Sequence, residues 1–329
     1  MPATRNPCKL LLTASVAALL SGCDAVVMSP SGDIAAQQAD LIIWSTILML
    51  IIIVPVIFLT LLFAWRYRES NKSATYKPDW DHSTKLELVI WAAPLAIIIA
   101  LGALTWVSTH KLDPYRPLDR IDEGRPVPEG VEPLIVEVVA MDWKWLFFYP
   151  EQGIATVNEL AAPVDRPIKF KITSTTMMNS FYIPALAGQI YAMGGMETQL
   201  HAVINEPGSY EGFSANYSGQ GFSQMRFEFV GMPEGEFEQW VQKVRTEGES
   251  LSRPRYSALA KPSIADPVQL FGDVAPGLYD AILNRCVEPG QVCMKDMMKS
   301  HHGHGGGHDS KAEHDSPAQH DAHAQHGDK

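Results

Sequence analysis

Two long apolar runs dominate the first third of the chain, and short strand-like segments follow them. Residues 41–65 are apolar almost throughout. As a helix at 1.5 Å per residue such a run reaches roughly 37 Å, enough to cross a hydrocarbon core of about 30 Å. Residues 86–109 form a second run, apolar to Val107 and interrupted near its start by Glu87. Trp44 and Trp65 bracket the first run, and Trp91 and Trp106 lie near the ends of the second, as an aromatic belt at the two interfaces requires. Pro55 and Pro94 fall inside the runs, where a helix packed against neighbours tolerates them. Core helices of a soluble protein are the alternative, disfavoured by two such lengths in succession. The connection at residues 66–85 carries Arg66, Arg68, Lys72, Lys77 and Lys85, and the positive-inside rule places it in the cytoplasm. Both outer ends of the hairpin then face the periplasm.

Past the hairpin the periodicity changes. Residues 110–132 form a linker rich in Pro, Gly and charge. Segments 134–140, 143–149, 168–173, 199–204 and 225–230 have β character and are separated by turn-forming clusters, which predicts an antiparallel sandwich or barrel over 133–232. Strict alternation within 143–149 puts Trp143 and Trp145 on one face, with Asp142 and Lys144 on the other. Residues 233–245 read as an amphipathic helix with Phe237, Trp240, Val241 and Val244 on one stripe and Pro233 near its start. A second short helix is predicted at 280–285, so 233–300 reads as a helical extension. Residues 301–329 are of low complexity and hold eight of the eleven histidines. Such a tract either binds metal loosely or is a disordered, solvated tail; the second reading is favoured, and the tail is not an active site.

The first residues are a targeting segment. Arg5 and Lys9 form a positive start, Leu10 to Leu20 an apolar stretch too short to span, and Ser21-Gly22 a small-residue cleavage site. The sequence at 20–23, Leu-Ser-Gly-Cys, resembles a bacterial lipoprotein signal, with residues 1–22 removed and the Cys23 thiol acylated. An ordinary signal with a chance cysteine is the plainer alternative. Asp24 resembles an inner-membrane retention signal, and residues 23–40 become a periplasmic segment. Of four cysteines, Cys8 leaves with the signal and Cys23 takes lipid. Cys286 and Cys293 remain, and in an oxidising compartment a short-loop disulfide is expected, two free thiols being the alternative. Loss of residues 1–22 removes only Arg5 and Lys9 and moves the formal charge from −11 to −13. An acidic chain argues against a nucleic-acid partner.

The candidate chemistry lies in residues 214–225, Ser-Ala-Asn-Tyr-Ser-Gly-Gln-Gly-Phe-Ser-Gln-Met, which have the spacing of a copper-binding loop with little of its donor set. Electron-transfer copper is held by thiolates and imidazoles. Two spans followed by an exported β-domain with such a loop resemble subunit II of the haem–copper respiratory oxidases. Residues 138–153, which contain the Trp-Lys-Trp-Leu-Phe-Phe-Tyr run, look like that family's aromatic strand. Met-Asn-Ser-Phe-Tyr-Ile-Pro at 178–184 looks like its first ligand segment. Together with the lipoprotein signal these are most similar to the bo-type ubiquinol oxidase branch. The resemblance implies a two-helix transmembrane hairpin followed by an all-β cupredoxin-like Greek-key sandwich, with the helical extension and tail beyond it. Carried over by position, one copper imidazole becomes Asn179 and the two bridging thiolates become Ser214 and Ser218. The carbonyl position is Asn216, the second imidazole becomes Phe222, and the thioether is retained as Met225. A lone thioether does not hold two copper ions, so no metal is expected on this chain.

What the resemblance implies about function follows from that loss. Ubiquinol, not cytochrome c, supplies electrons; haems and copper reside in subunit I, which reduces O2 to water with proton pumping; subunits III and IV complete the complex. The chain itself is non-catalytic and sits in the bacterial inner membrane. Glu87, a carboxylate in the opening turn of a span, resembles the mouth of a proton-uptake path; a helix N-terminus favoured by the dipole is the alternative, with His82 and Lys85 nearby. Trp143 and Trp145 are expected to anchor the β-domain on subunit I. Met177, Met178, Met193 and Met196 surround the altered ligand segment and are expected to serve packing, and His201 is expected to be structural. Two competing functions are a lipid-anchored periplasmic copper carrier and a cytochrome c oxidase subunit II with relocated ligands.

Overall fold

The computed structural model describes residues 25–75 and 77–302, with side chains only as far as residue 298. The expected signal peptide, Cys23 and nearly all of the His-rich tail lie outside the described residues. Helix α1 (Asp33–Arg66) and helix α2 (Thr84–Lys111) form the hairpin and run through Pro55 and Pro94. Both are long and apolar enough to cross a membrane. Their mid-sections expose large apolar side chains such as Phe58 (63 %) and Ile98 (65 %), a surface suited to lipid or to partner helices.

Helix α1 begins at Asp33, well before the expected 41, because its first turn is held by the β-domain. The Ser31 and Gly32 amides donate to Ala185 O at 3.0 and 2.9 Å, and the Asn205 amide donates to Ser31 O at 2.9 Å. A Cβ on Gly32 would fall 2.6 Å from Val203 O and 2.8 Å from Leu186 O, so only glycine lets the chains approach this closely. Asp33, with 3 % of its side chain exposed, takes Arg120 Nε and Nη2 at 2.9 and 2.8 Å and Gln37 Nε2 at 2.7 Å. Arg120 belongs to a two-stranded hairpin in the linker, β1 (Arg120–Asp122) and β2 (Arg125–Pro126). The linker is therefore built structure that clamps α1.

The β-domain is a sandwich. One sheet contains β3 (Leu134–Met141), β4 (Lys144–Tyr149), β5 (Ile154–Val157), β7 (Ile168–Ser174) and β10 (Thr198–Ala202), in the order β10-β7-β3-β4-β5. The other is ordered β6-β12-β11-β8-β9, from β6 (Glu159–Pro163), β8 (Asn179–Tyr182), β9 (Ile190–Ala192), β11 (Gly208–Ser214) and β12 (Arg226–Met232). Between them lies an aromatic core. Phe181 and Phe227 stack at 5.4 Å, and the Trp145 ring meets them edge-on at 5.4 and 5.7 Å. The Tyr149 hydroxyl donates to Ala161 O and accepts from Ala161 N, both at 2.9 Å, and so ties the two sheets together.

The segment after residue 232 corrects the expected helical extension. Helix α3 (Glu234–Glu247) buries Phe237, Val241 and Val244 as its stripe predicts. Beyond it, β13 (Glu249–Leu251) and β14 (Gln269–Val274) add to the first sheet through β5 and make it seven-stranded. Helices α4 (Arg253–Leu259) and α5 (Leu278–Leu283) pack on that sheet's outer face, and α6 (Met294–His302) ends the described chain. Strand β4 is consequently buried on both sides. Trp145, Phe147 and Tyr149 enter the inter-sheet core, while Leu146 and Phe148 enter a second core with Tyr256, Phe271 and Tyr279. Cys286 and Cys293 are bonded to each other, with Cα atoms 4.9 Å apart, and close the loop between α5 and α6.

Candidate functional site

Two neighbouring strands set the geometry of the ligand-like positions. Asn179 opens β8 and Ser214 ends β11, which pair in this region through Phe181 and Ser214. The Ala215 amide donates to Ser180 O at 2.9 Å and the Ser214 amide to Met225 O at 3.2 Å, so residues 214–225 fold back over the sheet edge. Inside this fold Ser214 Oγ is 3.1 Å from Asn179 Oδ1 and 3.3 Å from Asn216 O. Asn179 Nδ2 donates to Met177 O, and Asn216 Nδ2 to Met178 O, each at 3.2 Å. Asn179, Ser214 and Ser218 are all buried, at 2, 3 and 4 % exposure, and Met225 is wholly enclosed in the inter-sheet core. Phe222 is half-buried, its ring edge-on to Tyr217 at 5.6 Å.

This is a closed set of neutral hydrogen bonds. A carboxamide, two hydroxyls, a phenyl ring and a thioether do not suit copper, which needs thiolate and imidazole donors here. Ser218 Oγ is buried without a hydrogen-bond partner among the described residues, a cost an apolar side chain of its size would avoid. No group of three or more His, Cys, Asp and Glu capable of holding a metal occurs among the described residues.

Trp143 and Trp145 do not share a strand face. Trp143 precedes β4 with φ 65°, a left-handed residue in the turn after β3, and this turns its ring onto the ligand-like loop. Its Nε1 donates to Ser218 O at 3.0 Å, and a Cβ on Gly221 would lie 2.5 Å from the indole, so the glycine makes room for the ring. Trp145, with 0 % exposure, is core and has no surface to offer a partner. The expectation that both are interface anchors is thus corrected for Trp145, because its ring points into the core between the two sheets, against Phe181 and Phe227. The expected packing role is corrected for three of the four methionines: Met177, Met178 and Met196 are 48, 42 and 55 % exposed, whereas Met193 is partly buried. Met177 and Met178, whose carbonyls accept from Asn179 and Asn216, form with Tyr217 an exposed apolar rim at the loop. Tyr217, 76 % exposed, was missed, although an aromatic residue flanked by polar and small ones in a ligand-like loop is a visible signal.

Glu87 is at the other end of the hairpin, in the first turn of α2, with roughly 36 Å of helix between it and the β-domain. Its Oε1 meets His82 Nδ1 at 2.7 Å, and His82 Nε2 is 3.1 Å from Thr84 Oγ1. The structure does not bring Glu87 near the ligand-like loop. His201 is buried, its amide donating to Pro114 O at 3.0 Å; burial, with Lys169 adding to it, holds the imidazole below its usual range.

A family model described as cytochrome c oxidase subunit II, periplasmic domain, matches residues 150–230, and one described as the COX aromatic rich motif matches residues 245–290. The chain is 50 % identical over 267 residues to cytochrome bo(3) ubiquinol oxidase subunit 2 of Pseudomonas putida, covering 81 % of this chain and 82 % of that one. It is 51 % identical over 269 residues to ubiquinol oxidase subunit 2 of Acetobacter aceti, covering 82 and 85 %. Among solved structures, the periplasmic domain of cytochrome oxidase subunit II of Bradyrhizobium japonicum matches at 20 % identity with a TM-score of 0.35, covering 37 % of this chain and 98 % of that one.

Proposed function

The chain belongs to the ubiquinol oxidase subunit 2 family, and from that premise we propose that it serves a quinol-fed, proton-pumping oxidase as a subunit without copper of its own. The observation that carries this reading is the hydrogen-bonded closure of Asn179, Ser214 and Asn216 at positions where a copper-bearing relative needs donors. Ubiquinol loses electrons and protons to become ubiquinone, and those electrons reduce O2 to water in subunit I, whose haems and copper do the chemistry. This chain packs against subunit I, through the Tyr217 and methionine rim and part of the exposed apolar surface of α1 and α2. Subunits III and IV belong to the same complex, and cytochrome c has no docking role here. Lipidation at Cys23 adds an anchor beside the two spans.

Glu87, paired with His82 at the α2 N-terminus, is the group we assign to proton uptake. Metal analysis of the purified complex tests the main reading: copper accounted for wholly by subunit I supports it, and additional stoichiometric copper on this chain overturns it. Restoring Asn179→His, Ser214→Cys, Ser218→Cys and Phe222→His should create a coloured copper centre, since the strands that would hold it are in place. A folded, colourless variant would count against a retained scaffold. Glu87→Gln should slow turnover several-fold in an assembled complex, and unchanged turnover would reduce Glu87 to a helix-end residue.

A further inference from the structure

Between α1 and α2, on the side of the membrane that carries the β-domain, runs a groove with a graded lining. Asp40, Leu41 and Trp44 line it from α1, and Leu104, Val107 and Lys111 line it from α2. On each helix these residues recur three or four apart and so share one face. Lys111 is at the mouth, in the lining shared with the cavity beside the β-domain; Asp40 and Leu41 come about one turn below Gln37, and Trp44 and Leu104 lie deeper. From Lys111 to Leu104 the groove descends about 10 Å along the helix. At its mouth it continues, through Lys111, into the cavity between the hairpin and the β-domain. Trp44 and Val107 are 59 and 62 % exposed, and neither Asp40 nor Lys111 has an ion-pair partner among the described residues.

We propose that this groove binds one phospholipid with a zwitterionic phosphoethanolamine head. The head supplies what the mouth lacks: its phosphate meets the Lys111 ammonium, at a helix C-terminus that also favours a cation, and its own ammonium meets the Asp40 carboxylate. One acyl chain lies between Trp44 and the Leu104–Val107 wall. An anionic head without an ammonium leaves Asp40 facing phosphate, and a quinol head brings no charge for either residue. The occupant is therefore selected by opposite charges side by side over an apolar slot. The inference rests on the two helices crossing the membrane, and is independent of how electrons or protons enter the complex.

A photo-crosslinking residue replacing Val107 in the intact oxidase, irradiated in native membranes, tests it. The expected adduct has the mass of phosphatidylethanolamine, at a share at least threefold above that lipid's share of the membrane. Lys111→Glu should bring the share down to the bulk value, while Lys111→Arg should leave it enriched. An adduct with a partner subunit, with ubiquinol, or with lipids in bulk proportion would overturn the proposal. Carbonate extraction of the same membranes checks the premise separately. Release of the chain would sink the membrane reading and the proposal together; retention without enrichment would sink only the proposal.

Discussion

Lys144 is a charged residue in a strand whose neighbours are all buried, and it is itself only 2 % exposed. Its Nζ is 2.9 Å from Asp266 Oδ2 and donates to Leu259 O and Lys261 O at 3.0 Å, with Ser263 Oγ completing the shell. One ammonium thus pins the whole 259–266 connection onto the sheet. Lys144→Ala leaves Asp266 largely enclosed without a counter-charge, and should cost about 3–5 kcal/mol, read as a lower melting temperature of the complex. Lys144→Met with Asp266→Leu should recover most of that loss. Glu137 is the opposite case, a carboxyl raised to about 7 mainly by burial. Lys171 Nζ at 3.8 Å opposes the shift, and the nearby carboxylates Asp280 and Glu197 add to it. Because the folded pKa lies above the unfolded one, its contribution is complete below the unfolded value of 4.5 and is lost as pH rises through about 7. Amide exchange in residues 274–280, which face Glu137 across a cleft, should therefore accelerate between about pH 4.5 and 7 beyond the intrinsic rate. Glu137→Gln should abolish that excess. The alternation of β4 puts Lys144 on the face opposite Trp145, but nothing local signals the second core that covers that face.

At the scale of elements, legibility followed the range of the forces involved. The hairpin was readable because hydrophobic length is a local property, and the α3 stripe was readable for the same reason. The early start of α1 was not, because Asp33 is held by Arg120, which is 87 residues away. Nor were β13 and β14, short strands whose place is decided by the pairing of β14 with β5 and of β13 with β14, and not by their own residues. The ligand-like positions were legible from spacing, whereas the separate fates of Trp143 and Trp145 depended on a left-handed turn that no alternation pattern encodes. The α1 clamp gives an element-scale prediction. Gly32→Val should displace the helix start, because the added carbons meet the Val203 and Leu186 carbonyls, and Arg120→Ala should leave Asp33 buried without a counter-charge, held only by Gln37. In both variants limited proteolysis at residues 112–119 should quicken. Equal cleavage rates in variant and parent would show that the clamp does not order the linker.

For the whole molecule, two spans, a β-sandwich and a sheet-extending tail form one connected body, although only the sandwich carries the ligand-like loop. Closing that body depends on partners far apart in the chain. Ser31, at the start of α1, meets Glu206 across a separation of 175 residues, beside the backbone bonds to Ala185 and Asn205. The first described turn to leave the ribosome is thus tied down only by a surface that is made late. During export the hairpin must wait in the membrane, with its outer end loose, until the sandwich has crossed and folded. Such a non-local closure comes late in folding. A sandwich that fails to fold would leave the first turn of α1 slack and open to proteolysis, so the state of the β-domain is reported at the hairpin's own start.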